Sequence, residues 1–374
     1  EPVSPINVFA GEKLNGKNIN FLIGSGASFP IFKTLSLGKN KPSFEELISS
    51  KQISEENKKI LYYFYYKEWI LPMINNNYDN YDSDVKSNYL KFVSFIISTL
   101  STQGFDRPRR ANIFTTNYDL LFEDTFEKII NEYSNCFFND GSMGFMNKTL
   151  NPNWYNLVIS QMGYNDKYKR EIPTINLLKM HGSVSWRKEG TNKIKVSYEK
   201  TDDITPIEEL EHFDFIDDII SHLGENYNFE KLNGKLNEIS QNIREQVSEF
   251  FEKYKHLAII NPNKWKFHDT VFEQHYYQLI RNFSYELEKE NSILIVFAFS
   301  FADEHILEIF KRILSNPNLE VIIITFSRKS KDEIKERIGN YNNISYYPLD
   351  EDFDHSVKGD FNYFNKLLQG EIDG

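Results

Sequence analysis

Short apolar segments rich in β-branched residues alternate along the chain with segments of helical periodicity. The apolar segments are residues 19–23, 111–115, 175–180, 257–260, 293–299 and 321–325. The helical segments between them include residues 119–133, 270–290, 303–314 and 331–338. Near-continuous hydrophobicity over about five to seven positions is typical of strands that are covered on both faces. The alternation predicts an α/β fold, with a Rossmann-like, mostly parallel sheet and helices on both of its faces.

Two stretches interrupt this alternation. Residues from about 43 to 104 and from about 204 to 254 carry helical patterns without strand signals, and Pro42 and Pro206 lie near their starts. We interpret them as helical insertions in a single α/β domain that comprises residues 1–374. Residues 183–200 alternate between polar and apolar around Glu189 and Gly190, which predicts a β-hairpin.

Composition and charge narrow the class of protein. The chain has 374 residues, of which 40% are hydrophobic, so it can bury a sizeable core. It contains neither a signal-peptide pattern nor the run of about 18–20 apolar residues that a membrane span needs. We therefore expect a soluble, cytoplasmic protein with no membrane partner, whose natural N-terminus lies upstream of Glu1. A formal charge of −11 disfavours direct binding of nucleic acid.

Cysteine and histidine usage indicates no metal site. Cys136 is the single cysteine, so neither an internal disulfide nor a thiolate zinc site can form. His268 and His275 lie two turns apart in a predicted helix but have no third ligand at a suitable spacing. Four further histidines follow no strand and are interpreted as structural or surface groups: His212, His222, His256 and His355.

The first predicted strand runs directly into a turn of small residues, which are Gly24, Ser25, Gly26, Ala27 and Ser28. Small residues allow the backbone to turn sharply and to approach a ligand. The start of a following helix would then offer free N–H groups to a phosphate. The third glycine of the full dinucleotide fingerprint is missing, and such turns also occur without a ligand. A purely structural turn therefore stays open at this point.

The second predicted strand ends in Thr115, Thr116, Asn117, Tyr118 and Asp119. Ligands of open α/β sheets bind beyond the carboxyl ends of the strands, so these polar side chains are expected at the same crevice as the glycine turn. Asp119 alone is explained well as the cap of the next helix. Asn117 and Asp119 together, on either side of Tyr118, are harder to explain by capping alone.

His181 follows the predicted strand at residues 175–180 and precedes Gly182 and Ser183. A histidine in this place can exchange a proton near neutral pH and can reach a ribose hydroxyl or a water molecule. Lone histidines are nevertheless more often structural than catalytic, so this strand end alone does not decide between the two roles.

Polar residues also follow the last two predicted strands. Ser300 is suited to hydrogen-bond a ribose or phosphate, and Asp303 is suited to cap the next helix or to hold a hydroxyl group. Thr325, with Phe326 and Ser327 after it, is expected to close the crevice on the adenosine side.

In combination these strand ends resemble the sirtuins. Residues 24–28 (GSGAS) resemble the sirtuin phosphate-binding turn, residues 115–119 (TTNYD) resemble the TQN-x-D motif, and residues 181–183 (HGS) resemble the segment with the catalytic histidine. Residues 299–306 (FSFADEHI) are similar to the GYSF-x-DEHI signature of bacterial sirtuin-like proteins of antiphage defence. The resemblance extends from about residue 19 to residue 347, with the helical insertions outside it.

The resemblance implies a role for each matching residue. Asn117 would orient the nicotinamide ribose and an attacking water, His181 would be the general base, and Asp119 would contact the nicotinamide end. Gly24, Gly26 and Ser28 would hold the pyrophosphate, and Ser300 with Asp303 would hold the distal ribose or close the site. The complete set of implied cofactor-binding residues is Gly24, Ser25, Gly26, Ala27, Ser28, Thr116, Ser300, Phe301, Asp303 and Thr325.

Two departures from the sirtuins change the implied activity. The four-cysteine zinc ribbon of the sirtuin deacylases is missing after His181, and FPIFKTLSLG stands in place of their GIPDFR-type loop. Without an acyl-lysine cleft, water is the implied acceptor of the ADP-ribosyl group. NAD is therefore expected as the substrate, and no zinc is expected. The implied function is an NAD+ glycohydrolase (NADase), an effector of antiphage defence that depletes NAD in abortive infection.

Partners are implied by the resemblance as well. Stand-alone proteins of this type are paired with a HerA-type hexameric ATPase, which suggests a homo-oligomer assembled through the helical insertions. An aromatic run such as residues 62–66 is usually core packing in a helical layer, but interfaces favour aromatic residues too, and the sequence does not separate the two. Two other functions stay open: a non-catalytic regulatory module that binds NAD or ADP-ribose, and a nuclease subunit of the ATPase complex. Clustered carboxylates and basic charge, which favour a nuclease, are not found.

Overall fold

The computed structural model describes residues 13–35, 37, 43–75, 83–104, 109–132, 135–163, 169–190, 193–199, 229–262 and 270–372. The predictions for residues 204–228, His212, His222 and His268 lie outside these ranges, as do Pro42 and Pro206.

Fourteen strands and twelve α-helices are found in this part of the chain. The strands are β1 (Asn18–Ile23), β2 (Arg110–Thr115), β3 (Phe137–Asn139), β4 (Ser142–Met143), β5 (Lys148–Leu150), β6 (Ser160–Met162), β7 (Lys169–Glu171), β8 (Thr174–Lys179), β9 (Gly182–Glu189), β10 (Lys193–Val196), β11 (Leu257–Ile259), β12 (Ser292–Phe297), β13 (Glu320–Ile324) and β14 (Ile344–Tyr347). The helices are α1 (Phe44–Ser49), α2 (Glu55–Tyr65), α3 (Leu71–Asn75), α4 (Ser83–Thr102), α5 (Leu121–Ile130), α6 (Phe229–Asn237), α7 (Gln241–Tyr254), α8 (Thr270–Glu288), α9 (Glu304–Ile313), α10 (Arg328–Ile338), α11 (Asp350–Asp354) and α12 (Phe361–Gln369).

A seven-stranded parallel sheet lies at the centre, in the order β14-β13-β12-β1-β2-β8-β3. Alternate residues of its strands point to opposite faces: Phe21 and Ile23 pack with α4 and α12, whereas Leu22 packs with α8 and α9. The predicted α/β, Rossmann-like sheet with helices on both faces is therefore confirmed.

A row of asparagines crosses this sheet at one register position. Asn20, Asn112 and Asn176 are direct partners on β1, β2 and β8, and Asn139 on β3 pairs with Asn176. Each side-chain amide donates to the next carbonyl oxygen at 2.8–2.9 Å, from Asn139 to Asn176, on to Asn112 and finally to Asn20. The residues are buried, so the ladder satisfies polar groups that would otherwise be costly in the core.

A second sheet is antiparallel and has the order β11-β9-β10-β5-β4. The predicted hairpin is confirmed, since β9 and β10 pair with Glu189 opposite Lys193. The prediction that residues 257–260 join the parallel sheet is wrong, because β11 pairs antiparallel with β9. An apolar run indicates that a strand is buried, but it carries no information about which strand lies beside it.

The first helical insertion packs against the second. Three tyrosines on or beside α2 are each at most 3% exposed and contact aromatic side chains of α7. The tyrosines are Tyr62, Tyr63 and Tyr66, and their partners are Phe250, Phe251 and Tyr254. Within the chain, the aromatic run at residues 62–66 is therefore core packing between the two insertions. The assignment of residues 1–374 to one domain stays a prediction.

Candidate functional site

The candidate site lies at the carboxyl ends of β1, β2, β8 and β12, where the chain leaves the central sheet. At the end of β2 the hydroxyl of Thr115 donates to the carbonyl of Ile23 at 2.9 Å and accepts the N–H of Asn117 at 3.1 Å. These bonds tie the end of β2 to β1 and turn the next residues across the end of the sheet. The polar residues after β2 are thereby placed beside the glycine turn that follows β1.

Gly24 is required by the close approach of two chain segments. A Cβ at this position would collide with the backbone of Ala298, which follows β12. The expected α-helix after the turn is wrong: Ser25–Ser28 form a 3₁₀ turn, and Phe29 is extended. Pro30 explains the difference, because a proline disfavours helical geometry in the residue before it. The turn therefore does not present the N-terminus of an α-helix to a phosphate.

Ser28 connects the glycine turn to both polar residues that follow β2. Its hydroxyl donates to Oδ2 of Asp119 at 2.7 Å, and it lies 3.2 Å from Nδ2 of Asn117 and 3.0 Å from the hydroxyl of Tyr89. A serine hydroxyl can donate one hydrogen bond and accept two. With Asp119 as acceptor, the amide of Asn117 and the hydroxyl of Tyr89 are both donors, and the capacity of Ser28 is filled.

The side chain of Asn117 is held in one orientation. Its Nδ2 donates to the carbonyl of Gly24 at 3.1 Å as well as to Ser28, and the residue is 6% exposed. Since a backbone carbonyl can only accept, the amide nitrogen must be the atom that faces Gly24. Oδ1 is consequently fixed as a buried acceptor, and it has no hydrogen-bond partner among the described residues. A buried acceptor of this kind suits a hydroxyl group or a water molecule.

Asp119 precedes the next helix and belongs to a buried charged group. Its Oδ1 accepts the N–H of Leu121 at 3.1 Å, but the N-cap position of α5 is Leu120, which has no side-chain cap. The prediction that Asp119 caps this helix is therefore wrong, because the helix begins one residue later than expected. Lys179, 2% exposed at the end of β8, donates to the Asp119 carbonyl and lies 2.7 Å from the carboxylate of Glu123. Burial raises the pKa values of Asp119 and Glu123, and the charge of Lys179 opposes that rise. One buried cation thus supports two buried carboxyl groups beneath the crevice.

His181 lies two residues beyond β8 and contacts Asp303, which follows β12. Nε2 of His181 is 2.9 Å from Oδ2 of Asp303, an ion-pair distance without the alignment of a linear hydrogen bond. Gly182 is required beside the histidine: its φ is +88°, and a Cβ would collide with the carbonyl of Ala258. The imidazole therefore lies beside the Asp303 carboxylate at the carboxyl end of the sheet.

Asp303 is fixed by its own helix. Its Oδ1 accepts the N–H of Ile306 at 3.0 Å and caps α9, as the sequence predicts. Burial raises the pKa of Asp303, but the contact with His181 and the Ile306 N–H more than offset this and bring it to about 2. The carboxylate beside His181 is consequently charged near neutral pH.

The other predicted site residues are less closely connected. Ser25, Gly26 and Ser300 are exposed at the rim, Thr116 is half-buried, and Ala27 is buried beneath the turn. The side chain of Phe301 is buried against Phe299 and Phe310, so it points away from solvent. Thr325 is buried, and its hydroxyl donates to the carbonyl of Tyr347 at 3.3 Å. The roles implied for these residues stay predictions.

Sequence reasoning missed the residues that support the site. Tyr89, Glu123 and Lys179 lie outside the motifs, although a lysine in the apolar run at residues 175–180 was a signal that could have been followed. A lysine side chain in a fully buried strand needs a buried partner. Glu123, one helical turn beyond Asp119, is that partner.

The described residues contain no group of three or more His, Cys, Asp and Glu side chains that could hold a metal ion. His275 packs edge-on against Trp186, and burial lowers its pKa to about 4. It is a structural histidine in the core.

None of the helices in the described ranges is long and apolar enough to cross a lipid bilayer.

Comparison with known proteins identifies the family of the chain. A search of curated proteins gives no match to the chain. The family profile described as a SIR2-like domain matches residues 111–347, which is well over half of the chain. The matched range contains Asn117, Asp119, His181 and Asp303, whereas the glycine turn precedes it. The chain belongs to the SIR2-like domain family.

Proposed function

We propose that the protein is an NAD+ glycohydrolase that converts NAD to nicotinamide and ADP-ribose. Membership of the SIR2-like family indicates an NAD-related activity. The observation that carries this proposal is the fixed Oδ1 of Asn117, a buried acceptor without a partner among the described residues. Such an acceptor fits a ribose hydroxyl or the water that attacks beside it. Asn117 and His181 follow the neighbouring parallel strands β2 and β8.

Hydrogen bonds between Asn117 and the glycine turn support a dinucleotide as the substrate. Asn117 donates to the carbonyl of Gly24 and to the hydroxyl of Ser28, so the proposed ribose contact and the glycine turn are joined by two hydrogen bonds. The residues that we propose for the nicotinamide ribose and for the pyrophosphate are therefore neighbours. The connection supports one bound molecule that reaches from the turn to His181.

The chemical step breaks the bond between C1′ of the ribose and the ring nitrogen of nicotinamide. The bonding electron pair goes to that nitrogen, which neutralises the pyridinium charge, and C1′ becomes oxocarbenium-like. Water then adds to C1′ and loses a proton to His181, which yields ADP-ribose. Because the leaving group departs neutral, the enzyme needs orientation and a base more than it needs an acid.

A set of variants tests this assignment. Asn117→Ala and His181→Ala should each reduce nicotinamide release by at least about 100-fold, because orientation and the base contribute at this level. The readout is nicotinamide and ADP-ribose by mass spectrometry. Asn153→Ala and His355→Ala are matched controls at exposed positions and should turn over NAD as the unmodified chain does.

Two outcomes would contradict the proposal. If the Asn117→Ala and His181→Ala variants release nicotinamide as fast as the unmodified chain, another site is responsible for the release. Stable binding of NAD or ADP-ribose without any release would favour the regulatory module instead.

We further propose that this activity serves antiphage defence by depleting NAD, in a homo-oligomer that is joined to a HerA-type ATPase in the cytoplasm. The support is the similarity of residues 299–306 to the signature of bacterial defence proteins. Light scattering of the chain alone and of the chain co-expressed with such an ATPase measures both assemblies. Separate elution of the two proteins at all ratios would contradict the partnership.

A further inference from the structure

The pair formed by His181 and Asp303 joins two loops from distant strands of the central sheet. β8 and β12 are separated in the sheet order by β2 and β1. His181 follows β8 and Asp303 follows β12, and their side chains meet at 2.9 Å. The contact therefore reaches across the carboxyl ends of β1 and β2, from which the glycine turn and Asn117 emerge.

Asp303 is anchored independently of this contact. Its two carboxylate oxygens have separate partners, with Oδ1 on the N–H of Ile306 and Oδ2 beside the imidazole. The capping bond fixes the carboxylate at the start of α9, a helix of 10 residues that packs into the core through Ile306 and Phe310. Because the Asp303 carboxylate is fixed to a packed helix, it can fix the orientation of the His181 imidazole beside it.

We propose that Asp303 is a positioning residue that keeps Nε2 of His181 protonated and facing its carboxylate, so that Nδ1 is the ring atom left to accept a proton. The two nitrogens of a neutral imidazole differ, and the partner of one decides which of them is basic. A carboxylate beside Nε2 favours the tautomer with the proton on that atom. It also stabilises the imidazolium that forms when the other nitrogen takes a proton.

The catalytic consequence rests on the proposed NAD hydrolysis, whereas the effect on the ring can be measured without any substrate. If His181 accepts the proton of the attacking water, loss of the carboxylate should reduce kcat and leave KM nearly unchanged. The reason is that Asp303 acts through His181 and not on the substrate.

The test compares Asp303→Asn and Asp303→Ser with the unmodified chain. Both asparagine and serine are good helix caps, so both variants retain a partner for the Ile306 N–H while they remove the charge. Glu304→Gln is the matched control, because it removes one negative charge from the next position, which is exposed. Thermal unfolding should show that all variants are folded.

The primary readout is ¹⁵N NMR of histidine-labelled protein, at a pH where the imidazole is neutral, with His181 assigned by its loss in His181→Gln. We expect the Nε2–H tautomer in the unmodified chain and in Glu304→Gln, and a shift towards the Nδ1–H tautomer in both Asp303 variants. In NAD turnover, kcat of the Asp303 variants should fall about 10- to 100-fold, with KM within about two-fold.

Different results would contradict the positioning role of Asp303 and the proposed hydrolysis of NAD. A tautomer of His181 that is the same with and without the Asp303 carboxylate would overturn the positioning role, whatever the turnover. If even the unmodified chain releases no nicotinamide, the proposed hydrolysis is wrong, and the NMR comparison still decides whether Asp303 positions the ring.

Discussion

At the scale of single residues, the candidate site depends on a lysine that is not part of any motif. Lys179 is 2% exposed and lies between the carboxylate of Glu123 and the backbone of Asp119, with Ser183 as a further partner. A buried charge without a partner is much more costly than a buried pair. Lys179 therefore allows two carboxyl groups to be buried directly beneath the crevice.

Replacement of this lysine should be strongly destabilising. Lys179→Met retains the length of the side chain but leaves Glu123 without its buried counter-charge, so we expect a loss of about 3–5 kcal/mol in the free energy of unfolding. Urea denaturation measures the change. Lys128→Met, which removes the exposed pair with Asp124, is the control and should cost less than about 1 kcal/mol. Equal effects of the two substitutions would contradict the role of Lys179.

The pH dependence of this variant has a defined sign. Burial raises the pKa values of Asp119 and Glu123 above their ordinary values of 3.8 and 4.5, and Lys179 opposes the rise. A carboxyl group with a raised pKa in the folded state favours folding most below its unfolded pKa, and this contribution is lost as the pH rises through the folded pKa. Lys179→Met should therefore be less destabilised at about pH 5 than at about pH 8. A larger loss at the lower pH would be inconsistent with buried carboxylates as the cause.

The location of the motif residues after the ends of strands could be predicted from the sequence. His181 follows an apolar run directly, and Asn117 and Asp119 lie within the turn after another run, and the parallel sheet brings such positions to one edge. The contact between His181 and Asp303 could not be predicted, because it depends on how far each loop extends across the sheet. Capping explains Asp303 fully at the sequence level, and only the structure shows that its second oxygen has another partner.

At the scale of secondary-structure elements, the asparagine ladder ties four strands of the parallel sheet at one register. Asn112 both donates to Asn20 and accepts from Asn176, so it is an inner member of the row. A slip of any of these strands by one residue would leave the amides buried against apolar side chains. The ladder therefore stabilises the sheet and also favours this strand register over registers that are shifted by one residue.

Asn112→Leu should interrupt this row. The substitution leaves Oδ1 of Asn20 without its donor and removes one acceptor from Nδ2 of Asn176, for a loss of about 2–5 kcal/mol in the free energy of unfolding. Asn153→Leu makes the same chemical change at an exposed turn and should alter stability by less than about 0.5 kcal/mol. Chemical denaturation of both variants is the measurement. A loss no greater for Asn112→Leu than for the surface control would show that the ladder does not contribute.

Long periodic elements were predicted well, and short ones were not. The helix expected at residues 270–290 is α8 (Thr270–Glu288), and the hairpin at Gly190 has the expected pairing. The strands β3 to β7 were missed, since each has only two or three residues, too few to show an alternating pattern. Their pairing depends on partners that are distant in the sequence.

At the scale of the whole molecule, the described parts of the two helical insertions pack against each other. Contacts between α2 and α7 bury the aromatic side chains that also suit an interface between subunits, such as Tyr62 and Tyr66. The sequence could not separate these two roles, because aromatic residues are favoured in both. An oligomer of this chain would therefore have to use other surfaces than this aromatic run.

The most direct test of the account is NAD turnover by the purified chain, alone and together with a HerA-type ATPase, with nicotinamide and ADP-ribose quantified by mass spectrometry. We expect at least one of the two preparations to release both products in equal amounts, since water is the acceptor, and we expect His181→Ala to abolish the release. No nicotinamide above the level of His181→Ala in either preparation would contradict NAD hydrolysis.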